Sequence, residues 1–154
     1  MPIPLPYIIG TVSAVITGYL WNKKKAKKVF ISYHSKADSH YKNLIVAWSN
    51  NDKFQLKVED FSTDVGIKSN DVSYMRRRMK EQISKADYFI IFIGEKTHQR
   101  EWVEWEIEQA KLMKKNIVAI KENRAHKSPK SLLGSGATWI YRFTEQGLRK
   151  ALEA

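Results

Sequence analysis

The chain has 154 residues, enough for one domain with a full hydrophobic core. It contains no cysteine, which excludes disulfides, thiolate zinc sites and cysteine nucleophiles. A formal net charge of +11 invites a nucleic-acid partner. No helix-turn-helix, zinc-finger or RNP-type pattern accompanies that charge, so nucleic acid is not expected as a partner.

The N-terminal segment has the pattern of a membrane-spanning helix. No charged side chain occurs from residue 2 to residue 21, and a helix of that length would be about 30 Å long, the thickness of the hydrocarbon core of a bilayer. A basic run then follows, made of Lys23, Lys24, Lys25, Lys27 and Lys28. By the positive-inside rule this run stays in the cytoplasm, so the N-terminus should lie outside.

We therefore predict a single-pass transmembrane helix at residues 1–22, a basic juxtamembrane linker at 23–28 and a cytoplasmic domain at 29–154. Three other interpretations compete for the apolar segment. A signal peptide is disfavoured because the positive charge follows the apolar run, and an amphipathic surface helix is disfavoured because a polar face is missing. A buried core helix stays open.

Strand and helix patterns alternate through the rest of the chain. The predicted strands cover residues 29–33, 55–59, 87–94, 116–120 and 138–141. The predicted helices begin after Asp38 and then cover 72–83, 101–115 and 145–152. This alternation predicts a parallel sheet with helices on both faces, and right-handed crossovers favour a flavodoxin-like strand order of 2-1-3-4-5.

The strand order indicates where a ligand would bind. In open α/β sheets, ligands bind outside the carboxyl ends of the strands, at the point where the strand order reverses. Here that point lies between the first and third strands, which end in residues 32–35 and 94–97. Both segments should border one crevice.

One acidic residue does not fit the helix predicted at 101–115. At about 100° per residue, one broad face is apolar. That face carries Trp102, Val103, Trp105, Ile107, Ala110 and Met113. Glu106 lies within it, whereas Glu104, Glu108 and Lys111 share the opposite face. Because an unpaired buried carboxylate is costly, Glu106 is either a structural acid, which caps a loop or pairs with Arg100, or a functional group beside the crevice.

Other polar groups give weaker indications. The four histidines, His34, His40, His98 and His126, lack the spacing of metal ligands, so no metal site is predicted. Residues 134–136 resemble no phosphate-binding loop and predict a turn. The basic group at residues 76–78 is interpreted as a solvated helix face, with contact to phosphates or anionic lipid as the alternative.

Three motifs resemble those of TIR domains. Val-Phe-Ile-Ser-Tyr at 29–33, followed by Asp38, is similar to their opening strand, and residues 84–87 are similar to the entry into their third strand. Gly-Glu-Lys-Thr at 94–97, followed by Trp-Val-Glu-Trp-Glu-Ile at 102–107, resembles the TIR-like proteins of the Thoeris anti-phage system. Their strand ends in Gly-x-x-Thr before Trp-Val-x-x-Glu-Ile. The resemblance covers about residues 28–120.

The resemblance implies an enzyme that cleaves the nicotinamide–ribose bond of NAD+, with Glu106 at the catalytic position. Cleavage leaves positive charge on the ribose, which a nearby carboxylate can stabilise. The candidate substrate contacts are Ser32, Tyr33, His34, Gly94, Thr97 and Trp102, the last as a packing or stacking wall. NAD+ would be the substrate, and no cofactor is implied.

The products implied are ADP-ribose or a cyclic isomer that signals to a downstream effector protein. TIR active sites are often completed by a neighbouring subunit, so a homo-oligomer is expected. The main alternative is a non-catalytic TIR scaffold that assembles proteins at the membrane. A further alternative is a nucleoside deoxyribosyltransferase-like enzyme, for which the sequence shows no nucleoside pocket.

Overall fold

The computed structural model describes residues 26–33, 38–51, 58–60 and 70–154. The predicted transmembrane helix at 1–22 lies outside these residues, as does the predicted substrate contact His34. Within the described ranges, no helix has the length and apolar character needed to cross a membrane.

A five-stranded parallel sheet organises the domain. Its strands are β1 (Lys27–Ser32), β2 (Val58–Asp60), β3 (Tyr88–Phe92), β4 (Asn116–Ile120) and β5 (Thr138–Ile140). Their order in the sheet is β2-β1-β3-β4-β5, which confirms the predicted order. Every residue of β3 is buried, as expected for a central strand whose two faces are both covered.

The first strand begins earlier than predicted. Lys27 and Lys28 were assigned to the linker, but they pair with Val58 and Glu59 of β2 and so belong to β1. Strand pairing uses the backbone, so a lysine can occupy the first positions of a strand where its side chain still reaches water.

The helices are α1 (Ser39–Asn50), α2 (Val72–Lys85), α3 (Glu101–Leu112) and α4 (Glu145–Glu153). Short 3-10 helices occur at Thr97–Gln99 and Lys130–Leu132. Helix α3 ends before the predicted residue 115 because Lys114 adopts a left-handed backbone conformation, with φ of 53°. The amide of Lys115 then bonds back to the carbonyl of Ala110, which closes the helix end.

The two faces of the sheet have separate cores. On one face, Ile45 of α1 and Leu148 and Leu152 of α4 pack on the strands. On the other face, Ile83 of α2 and Ile107 of α3 do so. This arrangement confirms the predicted covering on both faces and gives the carboxyl edge of the sheet two distinct sides.

Candidate functional site

Ser32 ends β1 with its side chain on the face covered by α2 and α3. Side chains alternate along a strand, and Phe30, two residues earlier, packs in the core on that face. Ser32 is paired with Ile91 of β3, so its hydroxyl lies near the carboxyl edge of the two central strands. This is one side of the predicted crevice.

Glu106 meets Ser32 from helix α3. It is only 6% exposed, on the face of α3 that packs against the sheet. Ser32 Oγ donates a hydrogen bond of 2.5 Å to Glu106 Oε2, and Trp102 Nε1 donates one of 3.1 Å to Glu106 Oε1. Both partners are neutral, and among the described residues Glu106 has no ion pair with Arg100.

The surroundings of Glu106 bring the pKa of its carboxyl group close to neutral pH. Burial raises its pKa from 4.5 to about 7, while the hydrogen bonds from Ser32 and Trp102 oppose that rise. A carboxyl group with a pKa near the working pH can exist as an acid or as a base, which is typical of groups used in catalysis.

Gly94 and Thr97 form the turn that follows β3. The Gly94 amide donates a 2.8 Å hydrogen bond to Thr97 Oγ1, and Thr97 is only 2% exposed. The buried Thr97 side chain therefore stabilises the turn through this hydrogen bond. A Cβ added to Gly94 would lie 3.4 Å from both carboxylate oxygens of Asp38, so these two residues are close neighbours.

Tyr33 is the most exposed of the predicted contacts that the structure describes. Its side chain is 39% exposed, and the ammonium group of Lys42 lies 5.3 Å from the centre of its ring. It follows β1 immediately, at the same edge of the sheet as Gly94.

An open cleft of about 450 Å³ lies at the carboxyl ends of β3 and β4. The residues that line it include Asp38, Tyr41, Phe92, Gly94, Glu122 and Arg124. Of the predicted contacts only Gly94 lines it in the described part of the chain. The structure thus separates the predicted site into a buried cluster around Glu106 and a cleft at the same carboxyl edge of the sheet, lined by Gly94.

The acidic side of this cleft was not predicted from the sequence. Tyr41 Oη donates a 2.5 Å hydrogen bond to Glu122 Oε2, and the Tyr41 ring stacks on Phe92 at 4.8 Å between centroids. Tyr41 lies in the helix predicted after Asp38, and nothing in that helix pattern indicated a ligand contact. The one signal for Glu122 was its position two residues beyond β4, at the edge where the other strand ends were expected to bind a ligand.

The model of the family described as Thoeris protein ThsB, TIR-like domain, matches residues 30–127. The chain belongs to this family. The match runs from β1 to beyond β4 and includes Ser32, Gly94 and Glu106. No curated protein matches the chain.

Two solved structures are similar to this TIR-like domain in fold. A conserved protein from Enterococcus faecalis V583 superposes with a TM-score of 0.62 at 14% identity, covering 84% of this chain and 98% of that one. The CMP N-glycosidase BcmB of Clostridium botulinum superposes with a TM-score of 0.56 at 15% identity, covering 82% of this chain and 98% of that one. At these identities the likeness shows the fold.

Glu104 has a different role from the one its position on the helix predicts. Its carboxylate accepts hydrogen bonds from the backbone amides of Lys130 and Ser131, at 2.7 and 2.9 Å, and from the Ser131 hydroxyl. Burial alone would raise its pKa, but these hydrogen bonds together lower it. Glu104 therefore anchors the segment before β5 to α3, although the helix wheel assigned it to the solvent face.

Arg76 and Arg77 of the basic group on α2 are exposed, as predicted for a solvated helix face, and each also lies near an aromatic ring. The Arg76 guanidinium lies 5.5 Å from the centre of the Trp105 ring, and the Arg77 guanidinium lies 5.3 Å from that of Tyr74. Arg78 pairs with Glu81 at 2.7 Å.

In the part of the chain that the structure describes, no cluster of three or more histidine or acidic residues could hold a metal ion.

Proposed function

We propose that the protein cleaves the bond between nicotinamide and ribose in NAD+, with Glu106 as the catalytic carboxylate. The observation that carries this proposal is a buried carboxylate fixed by two neutral donors, Ser32 and Trp102, at the carboxyl edge of the sheet. Membership of the ThsB TIR-like family supports NAD+ as the substrate. The fold is shared with a CMP N-glycosidase, whose name describes cleavage of the same class of bond.

The chemistry follows from charge. When the glycosidic bond breaks, its electron pair leaves with nicotinamide, which becomes neutral, and positive charge develops on the ribose ring. The ionised form of Glu106 stabilises this charge more strongly in a buried site than it could in water. Attack by water on the ribose carbon then releases ADP-ribose and a proton, whereas attack by another atom of the same molecule gives a cyclic isomer.

The burial of Glu106 bears on how the active site forms. At 6% exposure Glu106 is covered in the single chain, and the cleft at the carboxyl ends of β3 and β4 is lined by other residues. We propose that assembly into a homo-oligomer rearranges this edge and completes the site with residues of a neighbouring subunit. In anti-phage defence, the product would signal to a downstream effector protein, or NAD+ would be depleted.

The decisive experiment compares two glutamates of the same helix. The full chain, in membranes or detergent and over a range of protein concentrations, is incubated with NAD+, and nicotinamide release is followed. Glu106→Gln should reduce release by roughly 100-fold or more, because it removes the charge that stabilises the transition state. Glu108→Gln, which changes an exposed residue, should not. No release from assembled wild-type protein, or equal release from both variants, contradicts the proposal.

A non-catalytic scaffold is the competing function, because a buried carboxylate with two neutral partners can also be purely structural. A scaffold would assemble without releasing nicotinamide, and Glu106→Gln would then change only stability or assembly.

A nucleoside deoxyribosyltransferase-like activity is favoured by the cleft, because it provides the space for a nucleoside that the sequence did not indicate. Transfer between deoxynucleosides without NAD+ cleavage would favour it.

We also propose that residues 1–22 anchor the domain to the cell membrane as a single span, with residues 23–25 on the cytoplasmic side. The support is the uncharged run from residue 2 to 21, followed directly by lysines. The full chain should pellet with membranes after carbonate extraction, and a version lacking residues 1–22 should not. Recovery of the full chain in the supernatant would contradict the anchor.

A further inference from the structure

The cleft at the carboxyl ends of β3 and β4 contains a carboxylate held in a fixed position. Glu122 Oε2 accepts the hydrogen bond from Tyr41, and Glu122 Oε1 accepts one of 3.2 Å from the backbone amide of Phe143. The Tyr41 ring is itself fixed, since it stacks on Phe92 and meets the edge of Phe143 at 5.3 Å between centroids. Glu122 is thus oriented before any ligand binds.

This carboxylate can still accept hydrogen bonds from a ligand. An ionised carboxylate offers about four acceptor positions, and the two bonds described occupy one on each oxygen. Glu122 is exposed and lines the cleft. Two acceptors at the fixed spacing of a carboxylate suit a pair of neighbouring hydroxyls, the arrangement in which an acidic residue holds the ribose of a dinucleotide.

The cleft also has a cationic side. Arg124 lines it, and its guanidinium lies 4.4 Å from the centre of the Tyr141 ring. Stacking uses the face of the guanidinium and leaves the donors on its edge free to bind a phosphate. One cleft therefore combines an acceptor for hydroxyls with a donor for phosphate, and its volume of about 450 Å³ is in the range of small-molecule sites.

We propose that this cleft binds the nucleotide of the substrate that lies farther from the scissile bond, with its ribose hydroxyls on Glu122 and its phosphate on Arg124. The inference rests on the proposed NAD+ cleavage at Glu106. It assigns two further substrate-contacting residues and makes Tyr41 a positioning residue that acts through Glu122. Gly94 lines the cleft and follows β3, the strand paired with β1 at Ser32, so a dinucleotide that crosses the carboxyl edge of these two strands reaches from the cleft to Glu106.

The same geometry determines which dinucleotide is accepted. NADP+ carries a phosphate on the 2′-hydroxyl of the distant ribose, where Glu122 would accept a hydrogen bond. A carboxylate facing a phosphate is repelled and loses that bond. The protein should therefore prefer NAD+ to NADP+, and Glu122 should cause the preference.

Kinetics with three substrates test the subsite. Nicotinamide mononucleotide has the scissile bond but lacks the distant nucleotide, so it reports on the chemistry at Glu106 alone. Glu122→Gln and Arg124→Ala should each raise KM for NAD+ by roughly tenfold or more, the effect of losing one charged hydrogen bond. Neither should change KM for the mononucleotide, and only Glu122→Gln should reduce the preference for NAD+ over NADP+. Glu108→Gln is the matched control.

A purely structural role for these residues predicts a different result. It would change kcat and KM for all three substrates together, and that outcome overturns the inference. Tyr41→Phe keeps the ring but removes the hydroxyl, so it should raise KM for NAD+ and leave the mononucleotide unaffected.

Binding measurements separate this inference from the proposed function. AMP and adenosine 2′,5′-bisphosphate are titrated into the full chain by calorimetry. The wild type should bind AMP more tightly than the bisphosphate, and Glu122→Gln should weaken AMP binding by roughly tenfold. This result would support the subsite even if no nicotinamide were released. Absence of AMP binding, or equal AMP binding by wild type and Glu122→Gln, overturns it.

Discussion

Ser32 Oγ donates a 2.5 Å hydrogen bond to Glu106 Oε2, which joins the end of β1 to the middle of α3 across 74 positions of sequence. The hydroxyl stabilises the ionised carboxylate in a site where burial favours the neutral acid. It therefore opposes the rise in the pKa of Glu106 that burial causes.

Ser32→Ala should shift the pH profile of nicotinamide release to higher pH. Loss of a hydrogen bond to the charged form raises the pKa of Glu106 further, by about one unit if the bond contributes about 1.5 kcal/mol. Ser32→Thr keeps the hydroxyl and should restore the wild-type profile. The measurement is kcat/KM between pH 5 and 9, and an unshifted profile for Ser32→Ala would show that the hydroxyl does not act on Glu106.

Glu106→Gln should stabilise the folded protein, and increasingly so as the pH rises. The pKa of Glu106 is raised in the folded state to about 7, so the folded protein holds this proton more tightly than the unfolded chain. The stability that depends on this proton is fully present below pH 4.5 and is lost as the pH rises through 7, at a cost of roughly 3 kcal/mol. Glutamine does not ionise, so Glu106→Gln does not lose this stability as the pH rises.

Denaturant unfolding of wild type and Glu106→Gln at pH 5 and pH 8 measures that effect. The free energy of unfolding of Glu106→Gln, relative to that of the wild type, should be higher at pH 8 than at pH 5. A constant difference in the free energy of unfolding would mean that Glu106 titrates as it does in water.

The position of Glu106 could be predicted from the sequence, but its partners could not. The strand order follows from the alternation of elements and from the buried run of β3, and the helix wheel placed Glu106 on the packed face of α3. Ser32 was predicted as a substrate contact because it lies at a strand end. The bond to Glu106 depends on how α3 is seated over the sheet, which no local pattern specifies.

Two further residues show the same limit. Glu122 is held in place by hydrogen bonds from the Tyr41 hydroxyl and the Phe143 backbone amide, and both residues are distant from it in sequence. Glu104 appears on the solvent side of the helix wheel because the wheel contains only α3. Its partners Lys130 and Ser131 arrive from 26 and 27 residues further along the chain.

Gly94→Ala should lower the rate of nicotinamide release while leaving the fold nearly unchanged. The added methyl group would meet Asp38 at 3.4 Å and Thr97 at 3.6 Å, which are ordinary contacts, so the free energy of unfolding should change by less than about 1 kcal/mol. The methyl group would lie against Asp38, which lines the cleft with Gly94, and would take space from the proposed nucleotide site, so KM for NAD+ should rise.

Gly134→Ala should lower the stability of the fold without changing KM, so it is the matched control. Gly134 has a φ of +69° with no atom within 4 Å of an added Cβ. Its substitution should destabilise the fold by about 1 kcal/mol through the backbone alone and leave KM unchanged. If Gly94→Ala lost only stability and kept its KM, Gly94 would have no role in the proposed nucleotide site.

Glu104→Gln should destabilise the protein at neutral pH, in contrast to Glu106→Gln. Its carboxylate accepts from two backbone amides, and glutamine can offer its single carbonyl oxygen to only one of them. The amide left without an acceptor should cost about 1–3 kcal/mol in the free energy of unfolding. Glu108→Gln, which breaks an exposed ion pair with Lys111, should cost less than about 0.5 kcal/mol.

The stability effect of Glu104→Gln should also have the opposite pH dependence to that of Glu106→Gln. The pKa of Glu104 is lowered in the folded state, so its contribution is present above the ordinary pKa of a glutamate and is lost as the pH falls through the lower folded value. The difference between wild type and Glu104→Gln should therefore shrink on acidification. Because Glu104 and Glu106 lie two residues apart on one helix, opposite slopes would show that their partners determine their roles. If Glu104→Gln were no less stable than Glu108→Gln, its bonds to the segment before β5 would not contribute.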